Sequence, residues 1–421
     1  MTIKAYCRIP AIENKSYKPK EGGCPELLYD LLGELDGAKE IHIAAYLFNN
    51  PTYFAFLHKL SSNGCKVYIT TLPTAGYSDR KLKVAGYNNK ISGRDMAHTI
   101  FRDIDNAPNM CLSFFPHQYI WYGALYADGG ATYSFHVKAI YAKFNNQVSK
   151  CILSSGNFMF TDPYHSDSML VFENEPVYEK YFVKLFSDLK NHSIRSNAYY
   201  TTYKSYEDEF MLAFYGKETN VEINSQEQCF FTAPFYHING IGSNHYAANT
   251  IIDLINTANK RVWVCAQHFH DVLSFDPERT TTIVKALYSK LSQNRSIDIK
   301  ILKQVKHASL ADKRRAAITE TLFQYIAPAQ QKYNLLAHDK FILVDNSLIF
   351  STANYTPTQF AFGLRTMKYK NPAGYKFVKK DNFSEVNGFA VVQECPQDVL
   401  NTFENHFSLL WDNGAFINIQ L

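Results

Sequence analysis

The chain has 421 residues, of which 46% are hydrophobic, so it is long enough for one large domain or two domains of ordinary size. Its formal net charge of +4 is mildly basic and by itself does not prove a polyanionic partner. No stretch approaches the roughly 20 apolar residues that span a bilayer, no signal peptide is recognised, and the cysteines lack the spacing of zinc ligands. These features predict a soluble protein of the reducing cytoplasm.

The predicted elements occur twice in the same order. The first half opens with "LLYDLLGELDGAKEIHIAAYLF", an amphipathic helix running into a buried strand, and the second half opens with the similar "ANTIIDLINTANKRVWVCAQHF". Next, "LHKLSSNGCKVYIT" parallels "LYSKLSQNRSIDIKIL", "FHVKAIYAKF" parallels "AHDKFILVD", and the closing helix "YFVKLFSDL" parallels "HFSLLWDN". This alternation predicts an α/β fold of two homologous lobes, residues 1–205 and 206–421, each a mixed sheet flanked by helices. We expect a pseudo-two-fold arrangement with the functional site at the interface of the lobes.

One predicted strand in each half carries a histidine and a lysine two residues apart, which places both side chains on one face of the strand. These residues are His136 and Lys138 in the first half, and His338 and Lys340 in the second. A second strand follows each time and ends in a corner of small residues, "SSGN" ending at Asn157 and "STAN" ending at Asn354. We expect each corner to bring its amide back beside the histidine and the lysine.

Two histidines, two lysines and two asparagines around one pocket suit the chemistry of a phosphodiester. One histidine can attack phosphorus and form a covalent phosphohistidine. The other can protonate the leaving oxygen and then activate water or an alcohol. Lysine and asparagine donors can hold the non-bridging oxygens, whose charge grows in the transition state. The residues therefore predict a metal-independent phosphodiesterase that needs no cofactor.

The two motifs resemble the signature of the phospholipase D superfamily, H-x-K-x4-D followed by G-S-x-N. The second motif fits through Asp345, with "STAN" standing in for G-S-x-N, whereas the first motif has Lys143 at the Asp position and a longer hairpin. The resemblance extends over nearly the whole chain. Because Asp345 is an odd number of residues from His338, we expect it on the opposite face of the strand in a structural role. We therefore expect the first lobe to remain competent despite Lys143.

The resemblance also implies a carboxylate that orients the nucleophilic histidine, on the strand after the asparagine corner. Asp167 in "YHSDSMLVFE" and Glu385 in "SEVNGFAVVQ" are the candidates, and Asp167 is favoured because it precedes a buried apolar strand. This makes His136 the expected nucleophile and His338 the expected acid, with the reverse assignment open.

Three classes of function compete for this chemistry. A nuclease acting on DNA or RNA is favoured by the mild positive charge and the abundant aromatic residues near both motifs. A phospholipase D or phosphatidyltransferase would bind a phospholipid head group, and would need an apolar membrane-facing patch that the sequence does not clearly offer. A non-catalytic binding protein is suggested by Lys143. A partner ATPase or helicase is suggested by family analogy alone. Because one chain contains both motifs, a monomer is sufficient for one active site.

Overall fold

The structure, a computed structural model, divides into two compact units. The first unit comprises Met1–Ile120, Ala131–Tyr215 and Met367–Val378, and the second comprises Trp121–Gly130, Gly216–Thr366 and Lys379–Leu421. The structure describes residues 2–10, 12–13, 18–19, 26–82, 90–123, 126–160, 165–202, 219–224, 229–269, 282–304, 317, 319–321, 323, 330–360, 365–371, 374–380 and 384–416. Within these ranges, the side chains of 12–13, 18–19, 26, 82, 118–132, 202, 282, 357–358 and 365–380 are not described. The boundary expected between residues 205 and 206 lies outside the described residues.

The first half of the chain alternates strands and helices around a mixed sheet. In chain order its elements are β1 (Thr2–Arg8), β2 (Ile12–Glu13), β3 (Lys18–Pro19), α1 (Glu26–Leu35), β4 (Glu40–Ala45), α2 (Pro51–Ser62), β5 (Lys66–Thr71), β6 (Lys81–Leu82), β7 (Ile91–Ser92), α3 (Gly93–Asn106), β8 (Met110–Phe114), β9 (Gln118–Gly123), β10 (Tyr126–Tyr133), β11 (Lys138–Lys143), β12 (Ser149–Ser154), β13 (Asp167–Glu173), α4 (Pro176–His192), β14 (Ile194–Arg195) and α5 (Ser196–Thr202). The strands of the main sheet lie in the order β1-β13-β12-β11-β4-β5-β8-β14. Strands β4, β5 and β8 are parallel, whereas β1, β13, β12, β11 and β4 pair antiparallel. We call this sheet with its helices the first lobe.

The second half repeats the pattern. In chain order its elements are β15 (Thr219–Val221), β16 (Cys229–Thr232), β17 (Tyr236–Ile238), β18 (Ile241–Gly242), α6 (Ser243–Thr257), β19 (Arg261–Ala266), α7 (Thr282–Gln293), β20 (Asp298–Lys303), β21 (Gln330–Tyr333), β22 (Lys340–Val344), β23 (Ser347–Ser351), α8 (Pro357–Phe360), β24 (Arg365–Asn371), β25 (Gly374–Lys380), β26 (Asn387–Val392), α9 (Gln397–Asp412) and β27 (Ala415–Phe416). Its main sheet, with the helices around it, is the second lobe and has the order β16-β26-β23-β22-β19-β20-β21-β27. Each strand of one sheet therefore has an equivalent in the other, which confirms the predicted fold of two homologous α/β lobes.

The closing helix of each half packs one face onto the middle of its sheet. Helix α4 packs on β11 and β12, and its buried face includes Phe182 and Leu185. Helix α9 packs in the equivalent way, with the ring of Phe407 stacked 5.0 Å from that of Trp263 on β19. Burying an aromatic ring of this size contributes about 1.5–3 kcal/mol, so these helices hold the central strands of each sheet in place.

The central strands are apolar on both faces, as expected for strands covered by helices. Every residue of β22 is buried, and β11 is buried except for Lys143 at its end. Within the described part of the chain, no helix is both long and apolar enough to cross a bilayer.

Candidate active site

The sequence motif of the first lobe gathers at one edge of its sheet. Strand β11 begins at Lys138, β12 ends at Ser154 and β13 begins at Asp167, and the antiparallel register brings these strand ends together. His136 precedes β11 by two residues, and Asn157 follows β12 by three. Residues that the sequence separates by more than 30 positions therefore lie at the same edge because the strands reverse direction.

His136 and Lys138 contact each other directly at this edge. Lys138 Nζ lies 2.9 Å from Nδ1 and 3.1 Å from Nε2 of the His136 imidazole, and it donates to the His136 carbonyl at 2.6 Å. The lysine is fully buried, whereas the histidine is partly exposed. An ammonium only donates hydrogen bonds, so the ring nitrogen that faces it must carry a lone pair. This contact favours the neutral imidazole that a nucleophile or general base requires.

Tyr46 packs against the same histidine. Its ring centroid lies 4.8 Å from that of His136, and Lys138 Nζ lies 5.4 Å from the tyrosine centroid. Tyr46 follows β4 directly, and its backbone N–H donates to the Val137 carbonyl at 2.9 Å. The sequence interpretation did not single out Tyr46. Its position just after the strand next to β11 is the signal that could have found it.

The asparagine corner is held by Ser155. The Ser155 hydroxyl donates to Asp167 Oδ1 at 2.6 Å and accepts from the Ser168 N–H at 2.9 Å. Asn157 is buried, and its Oδ1 has no hydrogen-bond partner among the described residues. Leaving a buried polar atom unsatisfied costs about 1–3 kcal/mol, so the amide is available to a ligand at this edge.

The residue after the corner has an uncommon backbone conformation. Phe158 has φ of +60°, and its carbonyl accepts the N–H groups of Asn49 and Asn50 at 3.2 and 3.1 Å. A left-handed conformation at a non-glycine residue costs of order 1–3 kcal/mol and recurs where a site must be held in one geometry. These two hydrogen bonds fix the turn that places Asn157.

The second lobe builds the same arrangement. Strand β22 begins at Lys340, β23 ends at Ser351 and β26 begins at Asn387, so the strand ends again meet at one edge. His338 is buried beside Lys340, whose ammonium is also buried and donates to the His338 carbonyl. Asn354 is buried too, and its Oδ1 has no hydrogen-bond partner in the described part of the chain. The structure thus brings the predicted histidine, lysine and asparagine to one edge in each lobe.

The lobes differ in the residue that begins the strand after the corner. In the second lobe Thr352 repeats the contacts of Ser155, because its hydroxyl donates to Asn387 Oδ1 at 3.2 Å and accepts from the Gly388 N–H at 3.0 Å. Asn387 is therefore the equivalent of Asp167. The edge of the first lobe has a carboxylate where the second lobe has a neutral amide.

Glu385, the carboxylate predicted for the second lobe, lies two residues before this position. It is buried, and its backbone carbonyl accepts from the Thr232 hydroxyl at 2.7 Å. The segment between the asparagine corner and the next strand is longer in the second lobe than in the first. The sequence alone therefore does not show that Asn387, and not Glu385, is the equivalent of Asp167.

A buried acid and histidine that the sequence interpretation missed lie behind the motif of the second lobe. Asp339 stands between His338 and Lys340, and its Oδ2 lies 3.0 Å from Nε2 of His406 on α9. Both side chains are buried. A carboxylate on the core side of a buried strand needs a partner, because an isolated buried charge is costly. That requirement, together with a histidine in an otherwise apolar helix face, is the signal that could have found the pair.

Asp345 lies in the turn between β22 and β23, at the far end of the strand from His338. Its carboxylate accepts the backbone N–H groups of Asn259, Lys260 and Arg261 at 2.8, 2.9 and 2.9 Å. Burial would raise the pKa of Asp345, but these hydrogen bonds outweigh it and lower that pKa below its usual value. The residue joins this turn to the start of β19.

Lys143 occupies the equivalent place in the first lobe. Its ammonium lies 3.6 Å from Glu40 Oε1, and its side chain is half exposed. Lys143 lies five positions after Lys138 along the strand, which corresponds to a distance of about 17 Å. The departure from the family pattern therefore lies far from His136 and is compensated locally by an ion pair.

Comparison with known proteins agrees with this geometry. Residues 251–366 match the family model described as "Cardiolipin synthase, PLD-like domain", and they include the histidine, lysine and asparagine of the second motif. The second half of the chain contains a phospholipase D-like domain. The resemblance to the phospholipase D superfamily is thereby confirmed, and a phosphodiesterase-type function is supported. No curated protein sequence matches the chain.

Three solved structures resemble this chain over most of its length. A phosphatidylserine synthase of Haemophilus influenzae Rd KW20 has a TM-score of 0.52 at 12% identity, over 94% of this chain and 86% of that one. A polyphosphate kinase of Porphyromonas gingivalis has a TM-score of 0.48 at 11% identity over 97% of this chain, which spans only 50% of that kinase. A mutant of the yeast tyrosyl-DNA phosphodiesterase has a TM-score of 0.47 at 11% identity, over 94% of this chain and 90% of that one. At 12% identity, the likeness to the synthase shows a shared fold.

Proposed function

We propose that the chain is a metal-independent phosphodiesterase that forms a covalent phosphohistidine, and that its substrate is a nucleic acid. The observation that carries the proposal is the repeated edge site. Each lobe places a histidine, a buried lysine and a buried asparagine amide at the ends of equivalent strands.

The proposed reaction uses one histidine from each lobe. A neutral imidazole nitrogen of His136 attacks phosphorus, and the bond from phosphorus to the leaving oxygen breaks. His338 donates a proton to that oxygen and then takes a proton from water. The resulting hydroxide attacks the phosphohistidine, which releases the phosphate product and restores His136. Lys138 and Lys340 stabilise the negative charge on the non-bridging oxygens.

Two observations support His136 as the nucleophile. Lys138 faces its ring nitrogen at 2.9 Å, which favours an available lone pair. Asp167 begins β13, which is separated from β11 by β12, and it lies at the same edge of the sheet, where the second lobe has Asn387. A carboxylate at this edge stabilises the imidazolium formed as the histidine is phosphorylated.

Nucleic acid is favoured over lipid by the net charge and by Tyr46. The chain carries +4, and the ring of Tyr46 beside His136 offers a surface on which a base can stack. Phosphatidyl transfer is the second candidate function. It is favoured by the description of the matching family model and by the likeness to a phosphatidylserine synthase.

The test is turnover in the presence of EDTA. Plasmid DNA, single-stranded DNA, RNA and phosphatidylglycerol vesicles are incubated with the protein and with His136→Ala, His338→Ala and the control His98→Ala, an exposed histidine on α3. We expect nucleic-acid cleavage that survives EDTA, is unchanged in the control and falls by at least about 100-fold in both motif variants. If the phospholipid of the vesicles is turned over instead, in EDTA and with the same loss in both motif variants, the function is phosphatidyl transfer and not nucleic-acid cleavage. Failure of the wild type to turn over any substrate would overturn the enzymatic proposal.

The assignment of roles has its own test. The protein is mixed with substrate labelled at the phosphate, quenched in alkali, where phosphohistidine is stable, and digested for peptide mapping. We expect label on the peptide that contains His136. With a p-nitrophenyl phosphodiester, whose leaving group needs no protonation, the label should accumulate more in His338→Ala, because the base that activates water is absent. Label on the His338 peptide instead would reverse the assignment.

A further inference from the structure

A groove in the first lobe lies away from the candidate active site. Its floor is a row of side chains that adjacent strands align by register, from Tyr141 through His42 and Tyr68 to Cys111. Helix α4 forms one side, and the groove has an open volume of about 1170 Å³. Tyr141 lies three residues after Lys138 on β11, and this odd number puts its side chain on the opposite face of the sheet from that of Lys138. The groove is therefore separate from the edge that carries the motif.

Two cations in the groove have no counter-charge among the residues that the structure describes. Lys190 at the end of α4 and Arg195 in β14 line it and are exposed. Neither side chain makes a hydrogen bond, ion pair or cation–π contact with any described residue. The groove's carboxylate, Glu40, is already shared by His42 at 2.8 Å and Lys143 at 3.6 Å. The end of the groove between Lys190 and Arg195 is therefore suited to an anion.

An aromatic surface lies next to these cations. Tyr68 is 37% exposed, and its ring stacks on that of His42 at 4.7 Å with 16° between the planes. Burial lowers the pKa of His42, and the positive charges of Lys143 and Lys190 lower it further. Together these effects outweigh Glu40, which raises that pKa. The stacked pair is therefore a neutral, flat platform at pH 7. Such a platform suits a planar aromatic ring.

In the second lobe, aromatic side chains occupy the region equivalent to the groove. Its equivalent of His42 is Trp263, which stacks on Phe407, and Phe407 stacks on Trp411 at 5.7 Å. Arg195 is replaced by Phe416, whose ring meets that of Trp411 at 6.5 Å.

The cations of the second lobe are also covered. Lys300, the equivalent of Tyr68, lies 4.4 Å from the centroid of Trp263, and Lys332 lies 4.6 Å from that of Phe416. The fold itself therefore does not require an open groove. The sequence of the first lobe leaves it open and leaves its cations uncovered.

We propose that this groove binds a nucleotide, with the base against Tyr68 and the phosphate between Lys190 and Arg195. A free nucleotide and one unit of a single-stranded nucleic acid offer the same chemistry. The proposal goes beyond the phosphodiesterase reaction and does not depend on it. It assigns a second ligand site to the first lobe.

The test measures binding of AMP by calorimetry and of a fluorescent 20-nucleotide oligothymidylate by anisotropy. Both use EDTA and a His338→Ala background, so that turnover does not interfere. Lys190→Ala/Arg195→Ala removes the free cations, and Tyr68→Leu removes the aromatic face. Lys59→Ala/Arg102→Ala is the matched control, because it removes two exposed charges elsewhere in the same lobe.

We expect both groove variants to weaken binding by about tenfold or more, and the control to change it little. For the oligonucleotide, the cation variant should reduce the slope of log affinity against log salt by about 1.4, because each phosphate contact to a single strand contributes about 0.7. Tyr68→Leu should leave that slope unchanged. A loss seen with AMP identifies a free nucleotide, whereas a loss confined to the oligonucleotide identifies a strand.

Photo-crosslinking with 8-azido-AMP and with an azide-labelled oligonucleotide gives a readout that needs no substitution in the groove. We expect label on the peptide that contains Tyr68. Equal affinity of groove and control variants, or labelling confined to other peptides, would overturn the proposal. Either result is independent of the cleavage assay, because it is a binding measurement in a variant that lacks His338.

Discussion

Nε2 of His406 and Oδ2 of Asp339 lie 3.0 Å apart in the core of the second lobe. Asp339 shares its strand end with His338 and Lys340 but faces the other side of the sheet, toward α9. The Asp339 carbonyl also accepts the Gln267 N–H at 3.1 Å. The contact therefore ties the backbone of the second motif to the closing helix. The first lobe has Val137 and Tyr181 at the equivalent positions, so this connection is specific to the second lobe.

The first prediction concerns the coupling of this pair. Asp339→Val or His406→Tyr alone should lower the free energy of unfolding by about 3–5 kcal/mol, because each leaves the other polar group buried without its partner. The double variant copies the first lobe and should recover much of that loss. Denaturant unfolding of the four proteins provides the measurement. If the losses of unfolding free energy in the two single variants add up to the loss in the double variant, the two side chains are not coupled.

The second prediction concerns the corner amides. Asn157→Ala or Asn354→Ala should lower kcat by about 100- to 1000-fold if the amides stabilise charge on the phosphate. Stability should change little, since each Oδ1 lacks a hydrogen-bond partner among the described residues.

Asn334→Ala is the control for the corner amides. This buried asparagine donates to the Leu410 carbonyl at 2.9 Å and accepts from the Leu336 N–H at 3.0 Å, so its loss should lower stability while the folded fraction keeps its kcat. Corner variants that behave like this control would make the amides structural only.

The third prediction uses the lowered pKa of Asp345. A carboxyl whose pKa is lower in the folded state contributes stability above its unfolded pKa, near 3.9, and loses that contribution as pH falls through the folded pKa. Asp345→Asn keeps the side-chain shape and tolerates the φ of +48°. We expect it to cost about 1–2 kcal/mol at pH 7 and progressively less below about pH 4, with kcat unchanged. A cost that stays constant down to pH 2.5 would contradict this account.

The fourth prediction concerns Lys143. The ion pair with Glu40 is half exposed and contributes at most about 1 kcal/mol, and it lies about 17 Å along the strand from Lys138. Lys143→Ala should therefore leave turnover of a small phosphodiester such as bis-p-nitrophenyl phosphate within about twofold of the wild type. Lys143→Asp should not raise it, and should destabilise the lobe slightly because a second carboxylate would face Glu40. A large gain from Lys143→Asp would show that the family's aspartate is chemically required.

The sequence by itself determined the architecture and the motif. The repeat of helix and strand patterns predicted two α/β lobes, and the two sheets indeed have the same strand order. The spacing of two residues between His136 and Lys138 predicted that their side chains lie together, and they do contact each other, although His136 precedes the first residue of β11. The same rule predicted Asp345 on the opposite face from His338, and the structure instead separates the two residues by the length of β22, with Asp345 in the turn that follows the strand.

Only the tertiary structure decided which distant residues meet. The equivalence of Asp167 and Asn387 depends on the register of strands that follow loops of different length. The contact of Asp339 with His406 joins residues 67 positions apart. The groove is open at one end because Arg195 lies where the second lobe has Phe416. Periodicity assigns a side chain to a face, but the packing of separate elements decides what that face meets, and no local pattern encodes that packing.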